Sequence, residues 1–357
     1  MDGIEDEEAN IAFTRGRIYA NIGSKPGPKN YENVIPWNVQ GLIAGTNGTH
    51  YLNRIGKLKE YPVYEMPVDK VKGEHLMLDI GCGWGRWLTS GANKGYIPIG
   101  VDIKLNLCHA SLLVMKTQNV SGYAVSADLT NMPFKDNIFD LVWSFSVIQH
   151  THYERMVNCL QRINSILTNE GFTLLEFPNK NGLRNRKIVS NQSIDDINNY
   201  NSWCVRYYTP AEYETIVSKF LSHYSFYNHS FLGIGVLKED LKYVSFSNKI
   251  KCAISLLFSA ATNVIPNMKN YSDSIYIRAS KKETSTKNTD ISRFLKLHHS
   301  NPGDNLNIVS LLKCPKYGGD LVVSEDRKKL ISLEAGIYYP VEKDVPVLVK
   351  SEAVSIS

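Results

Sequence analysis

The chain has 357 residues, 43% of them hydrophobic, 21% charged and 10% aromatic, a balance that excludes a disordered or fibrous protein and suits one large domain with smaller appendages. Its 40 basic and 35 acidic residues leave a formal charge of +5, too small and too dispersed an excess to mark a nucleic-acid protein, so DNA is not an expected partner. The six cysteines, at positions 82, 108, 159, 204, 252 and 314, show no paired spacing, which points to free thiols in a reducing, cytoplasmic setting.

An N-terminal extension is expected over residues 1–70. Its first ten residues, Met1 to Asn10, are acidic and lack the apolar core of a secretion signal. The main domain is expected over 71–280, where strand and helix signals alternate as in a parallel sheet covered on both faces. Strands are predicted at His75–Ile80, Tyr96–Val101, Gly122–Ala127, Ile138–Ser144 and Phe172–Phe177. Helices are predicted between them at Trp84–Lys94, Lys104–Gln118 and Tyr153–Leu167, the last stopped by Asn169 and Gly171. Then follow a helix at Pro210–Phe220 capped by Thr209, a sixth strand at Ser222–His229 and a seventh at Asp273–Ala279. The fold class is α/β, a doubly wound seven-stranded sheet. Insertions at 178–205 and 231–271 interrupt it and are expected to act as lids over the strand ends. The apolar run Cys252–Ile265 is too short for a membrane span and is predicted to be a helix packed on the domain, with a place at a membrane interface as the lesser alternative. The lysine-rich stretch 281–305 lacks periodicity and is expected to be a linker, and 306–357 a small β-rich module.

The chemistry concentrates at the end of the first strand. Leu78-Asp79-Ile80-Gly81-Cys82-Gly83-Trp84-Gly85 places alternate glycines where strand turns into helix, so that backbone can approach a ligand closely. A dinucleotide fingerprint wants its third glycine one position later, where Arg86 stands, so a pyrophosphate is disfavoured. Asp79 suits an ammonium group, and the helix-terminal amides after Gly83 suit a carboxylate, which together fit a zwitterionic amino-acid tail. Asp102, 23 residues on at the end of the second strand, can accept two ribose hydroxyls. Asp128, after the third strand, can accept from an exocyclic amine, with Leu129 flanking the base.

With the fourth-strand motif Phe134-Lys135-Asp136-Asn137-Ile138-Phe139-Asp140-Leu141-Val142, these residues resemble the class I S-adenosylmethionine-dependent methyltransferase superfamily from Leu76 through Phe177, and more loosely to Ala279. The resemblance implies S-adenosylmethionine as cofactor and adds Cys82, Trp84, Ile103, Ser144 and Gln149 to Asp79, Gly81, Gly83, Gly85, Asp102, Asp128 and Leu129 as its binding set. The run Trp143 to His150, with Val205 to Pro210 later, is similar to a bacterial subgroup associated with glycan and secondary-metabolite clusters. That implies a small-molecule or glycan acceptor, methylated on a sugar hydroxyl. RNA modification and a non-catalytic S-adenosylmethionine-binding scaffold stand as alternatives.

A hydroxyl acceptor must lose its proton as the new bond forms, and a neutral imidazole can take it. His150 is the candidate base, although a structural role explains it as well. Glu176, Arg206 and Tyr207 could orient substrate, or be a buried ion pair and its neighbour. At the C-terminus, Cys314-Pro315-Lys316-Tyr317-Gly318-Gly319-Asp320-Leu321 and Tyr339 to Leu348 resemble a zinc-ribbon-like methyltransferase-activator domain. Three of its four cysteine positions hold Tyr317, Ser332 and Ala335, and one thiolate cannot hold a structural zinc. A metal-free module that packs on the catalytic domain or on a second copy of the chain is therefore expected.

Overall fold

Short apolar runs bounded by glycines and polar turns become the central strands of one sheet, as parallel strands buried on both faces should, and a half-buried, more polar strand closes one edge. In the computed structural model these are β1 (His75–Ile80), β2 (Tyr96–Asp102), β3 (Tyr123–Ser126), β4 (Phe139–Phe145), β5 (Leu167–Pro178), β6 (Leu221–Ser230) and β7 (Ser274–Lys281). The structure describes residues 35–46, 55–192, 197–199, 204–231, 237–243, 245–262, 264–282 and 286–356. Met1 to Asn10 and parts of both expected insertions (193–196, 200–203 and 232–236) lie outside the described residues.

The sheet order is β3-β2-β1-β4-β5-β7-β6, with β1 to β5 parallel and β7 antiparallel to both β5 and β6. The order reverses between β1 and β4, which is where a doubly wound sheet opens its crevice at the carboxyl ends of the strands. Asp79 there lies in register with Gly100 on one side and Trp143 on the other. Helices α1 (Trp37–Thr46), α2 (Arg86–Asn93), α3 (Leu105–Thr117), α4 (Tyr153–Ile166), α5 (Asn185–Ser190), α6 (Pro210–Val217), α7 (Phe246–Ala261) and α8 (Ser292–Ser300) are the described α-helices.

Two boundaries differ from expectation for local reasons. Helix α2 starts at Arg86 instead of Trp84, because Gly85 holds a left-handed φ of +91° and cannot continue a right-handed helix. Strand β5 starts at Leu167 and runs through Asn169 and Gly171, which were expected to be a turn. A side chain at 171 would meet the Phe139 carbonyl at 2.7 Å, so this glycine serves strand approach, not helix termination.

The stretch 281–305 is more than a linker. It contains α8, whose Phe294 is fully buried and packs edge-on against Tyr123 at 5.1 Å, while the Tyr123 hydroxyl bonds His298 Nδ1 at 2.8 Å. Apolar Ile291, Phe294 and Leu295 recur at helical spacing within a polar run, and that small repeat is what the surrounding lysines and histidines obscure. The N-terminal extension is also structured where described. Ile35, Val39 and Ile43 of the α1 region form a second core with Tyr64, Met66, Trp84, Trp87 and Trp143.

Beyond α8, β8 (Val322–Val323), β9 (Lys329–Ser332), β10 (Ile337–Glu342), β11 (Val345–Pro346) and β12 (Val354–Ser355) form a separate antiparallel sheet. Its preceding 3-10 turn, Asn305–Leu311, is buried in the same core as β1, β3 and β4. The Asn305 side chain accepts from Ala124 N at 2.8 Å and donates to Ala124 O at 2.9 Å, while Leu348 N donates to Ser126 O at 2.7 Å. Strand β3 would otherwise be a bare sheet edge, and the module covers it. Among the described residues no helix is long and apolar enough to cross a membrane.

Candidate active site

The turn leaving β1 is built on glycines because its backbone is left-handed three times, with φ of +72° at Gly81, +54° at Gly83 and +91° at Gly85. A Cβ at Gly81 would fall 2.4 Å from Val147 and one at Gly85 3.1 Å from Ser111, whereas one at Gly83 would meet only the Gly81 carbonyl at 4.0 Å. The outer two glycines allow packing. The middle one borders open space.

Asp79 sits beside that space with 1% exposure, and neither of its carboxylate oxygens has a hydrogen-bond partner among the described residues. Burial pushes its carboxyl up to about 8, with Arg86 opposing and Asp102 adding to the rise. Leaving a carboxyl buried and unpaired costs stability unless a ligand supplies the partner. Asp102 accepts from Gly83 N at 3.2 Å through one oxygen and from Lys104 N at 2.9 Å through the other, so each oxygen keeps acceptor capacity. Ile103 next to it is 47% exposed and offers an apolar surface for a ring.

Other expected cofactor residues are placed differently. Asp128 caps the turn Leu129–Asn131, accepts from Thr130 N and Oγ1, and pairs with Arg155 at 2.8 Å. Burial alone would raise its carboxyl, but those partners hold it below the usual carboxylate value. The Cys82 side chain packs with Leu88 and Met115, and the buried Trp84 ring stacks on Tyr61 with centroids 6.4 Å apart. Both side chains turn into the protein, which leaves their backbones as the part facing the turn. Ser144 Oγ bonds Ile80 O at 3.5 Å and so ties β4 to the start of the glycine turn.

On the far side of the crevice, Gln149 donates to Ser146 Oγ at 2.6 Å while its buried Oε1 has no partner among the described residues. Glu176, 6% exposed at the end of β5, likewise keeps Oε2 unpartnered. Burial pushes the Glu176 carboxyl up to about 7, eased by Ser274, the Ser146 amide and Arg86. His150 is pushed down to about 4 by burial and by the Arg206 charge, so its imidazole is neutral at pH 7. Arg206 is almost fully buried and donates to the carbonyls of Ile197, Asn199 and His150. That makes it a clamp on the chain path instead of a substrate-facing cation. Tyr207 is half-buried, and burial raises its phenol.

Two residues join this group that the sequence did not single out for it. The Arg86 guanidinium lies over the rings of Phe145, Trp87 and Tyr64 at 4.8, 5.1 and 5.2 Å. His229, from β6, packs 4.7 Å from Tyr276 and 5.3 Å from Phe145, and burial with the Arg86 charge lowers its imidazole to about 4. Arg86 occupied the third-glycine position of a dinucleotide fingerprint, which was a usable signal. Nothing local marks His229, which reaches the site only through the antiparallel pairing of β6 with β7. Two surface cavities, of about 310 and 440 Å3, are lined by other residues.

Residues 78–175 match the family model described as a methyltransferase domain. Over that stretch the chain is similar to methyltransferase domains, as the class I resemblance of its glycine turn implies. The Asp79 carboxyl, unpartnered among the described residues, and the open space at Gly83 fit the ammonium-bearing tail of S-adenosylmethionine, the cofactor that the resemblance implies. An uncharacterized protein of Methanocaldococcus jannaschii is 32% identical over 123 residues, which is 34% of this chain and 49% of that protein. The chain thus spans about half the length of this relative. The 18S rRNA (guanine-N(7))-methyltransferase bud23 of Schizosaccharomyces pombe is 34% identical over 79 residues, 22% of this chain and 28% of that one. A UPF0434 protein of Pseudomonas aeruginosa is 44% identical over 50 residues, 14% of this chain and 82% of that protein. Over that stretch the chain belongs to the UPF0434 family.

Proposed function

We propose that the protein transfers a methyl group from S-adenosylmethionine to a hydroxyl of a sugar, in a glycan or a glycan precursor, in the cytoplasm. Asp79 accepts from the cofactor's ammonium group, Asp102 from the ribose hydroxyls, and Ile103 and Leu129 flank the adenine. When bound, the cofactor supplies an electrophilic methyl group on a sulfonium. A neutral imidazole of His150 or His229 would take the proton of the acceptor hydroxyl as that methyl is transferred to it. The aromatic wall of Phe145, Trp87 and Tyr276 helps exclude water as a competing nucleophile.

One observation carries the acceptor reading: Glu176 Oε2 and Gln149 Oε1 are buried acceptors without partners among the described residues, next to a group of aromatic rings. A pyranose edge offers hydroxyl donors and its faces offer C–H groups to such rings. Mass spectrometry of nucleotide sugars and polysaccharides incubated with the protein and labelled cofactor should reveal a singly methylated product. Methylation of ribosomal or transfer RNA in place of sugars would favour RNA modification, which bud23 performs on 18S rRNA and which the activator-like C-terminal module makes the second reading. Cofactor binding without transfer to any acceptor would favour a scaffold. Once product is in hand, His150→Ala and His229→Ala identify the base, since loss of it should lower turnover roughly 100-fold with cofactor affinity unchanged. If neither variant is slowed, no imidazole takes the proton.

A further inference from the structure

Helix α7 is amphipathic the wrong way round for a helix packed on a protein. Its inward face carries Cys252 and Ser255, with Thr262 just beyond its end, all buried, and the two hydroxyls fasten it to the end of β6. Ser255 Oγ accepts from Phe231 N at 3.0 Å, and Thr262 Oγ1 donates to Asn228 Oδ1 at 3.1 Å. Its outward face carries Phe246 at 78% exposure, Ile250, Ile254 and Leu257 at 69%, and the chain continues with Val264 at 83% and Ile265. Positions 246, 250, 254 and 257 share one side of a helix at 100° per residue, while 252, 255 and 262 fall on the other.

The charges on this segment are of one sign. Between Leu241 and Ser272 the sequence has four lysines, at 242, 249, 251 and 269, and no aspartate or glutamate, although Lys242 is already paired with Glu60. Lys249 and Lys251 are exposed and lie on either flank of the apolar face, where long stems can keep ammonium groups at the level of headgroups while the face sinks below them. Single exposed apolar residues need no explanation, but a contiguous run with its polar side turned inward does. A second copy of the same face would bring like charges together, whereas an anionic surface satisfies both the charge and the apolar side chains.

We propose that α7 docks the protein on the surface of an anionic phospholipid bilayer, lying in the interface without crossing it. The anchors at Asn228 and Phe231 flank His229 in the chain, so the docked helix is fastened to the end of the strand that carries this histidine. The binding itself is independent of which acceptor is methylated, and it is measured apart from activity.

The test is flotation of the full-length protein with phosphatidylglycerol-containing vesicles and with phosphatidylcholine vesicles. The expected result is co-flotation with the anionic vesicles only, weakened by added salt. Leu257→Glu and Ile250→Glu should each reduce the bound fraction about tenfold or more. Both side chains are exposed, so the variants should melt as the parent does, and Lys249→Glu combined with Lys251→Glu should weaken binding without removing apolar surface. Absence of binding to anionic vesicles, equal binding to both lipids, or retained binding in Leu257→Glu would overturn the proposal. So would sedimentation showing a dimer that Leu257→Glu dissociates, since the face would then belong to a second copy of the chain.

Discussion

At the scale of single residues, Asp79 sets folding against binding. Its carboxyl titrates at about 8 in the folded, ligand-free protein, against roughly 3.9 in an unfolded chain. Between those values the folded state holds more protons than the unfolded one, so stability falls as pH rises, by about 1.4 kcal/mol per pH unit. Glu176, raised to about 7, adds to that fall over a shorter window. His150 and His229, lowered to about 4, act in the opposite sense. Their folded states exclude protons that the unfolded chain binds, so they add stability as pH rises towards their unfolded value of roughly 6.5 and nothing further above it. The carboxyls therefore go unopposed above pH 6.5, and thermal melts of the ligand-free protein should show the midpoint falling from there to pH 8. Asp79→Asn should remove most of that slope and raise the midpoint at pH 8, while calorimetry shows loss of S-adenosylmethionine binding. An unchanged slope in this variant would mean that the Asp79 carboxyl is solvated in the folded protein. The sequence already located this residue, because an aspartate before three alternate glycines at a strand end is local information. It could not show that Arg206 is a clamp or that Asp128 is paired with Arg155, since both depend on partners far along the chain.

At the scale of elements, the first four strands were legible to within a residue or two, because a strand buried on both faces is a short apolar run with abrupt ends. What escaped were elements defined by their neighbours. Helix α8 is mostly polar, and one buried Phe294 decides its placement beside Tyr123. Asn305 gives no sequence signal at all, yet its amide bonds Ala124 on the edge of β3 as a partner strand would, and also donates to the Asp344 carbonyl at 2.8 Å. Asn305→Ala leaves the Ala124 amide and carbonyl without that partner in a buried place, and should cost about 1–3 kcal/mol in urea or thermal unfolding. A cost below a few tenths of a kcal/mol would show that water replaces the amide, and that the module holds the edge by its apolar contacts alone.

At the scale of the whole molecule, the C-terminal module and the methyltransferase sheet have one core between them. Leu306, Ile308, Leu311 and Leu312 are buried among residues of β1, β3 and β4, so any assembly of two chains through the module must use a different face. Hydrogen bonds within the chain hold the ribbon turn. Gly318 N donates to Cys314 O at 2.8 Å, Cys314 N donates to Gly319 O at 2.7 Å, and Cys314 Sγ lies 3.7 Å from the Tyr339 hydroxyl. Burial would raise the Cys314 thiol, but the amides of Tyr317 and Lys316 and the Tyr339 hydroxyl hold it below the usual thiol value. Among the described residues no group of three or more His, Cys, Asp or Glu side chains is placed to hold a metal. The full chain should therefore unfold in a single calorimetric transition that a chelator does not shift. Deleting residues 306–357 strips the cover from the β3 edge and exposes Phe134, Val125 and their neighbours, which should leave the remainder aggregation-prone or markedly less stable. The glycine turn and Asp79 lie at strand ends away from that edge, so whatever truncated protein stays soluble should still bind S-adenosylmethionine. A second transition in the full chain, a chelator-sensitive midpoint, or a truncated protein that melts as the parent does would each show that the module is an independent unit instead of part of one core.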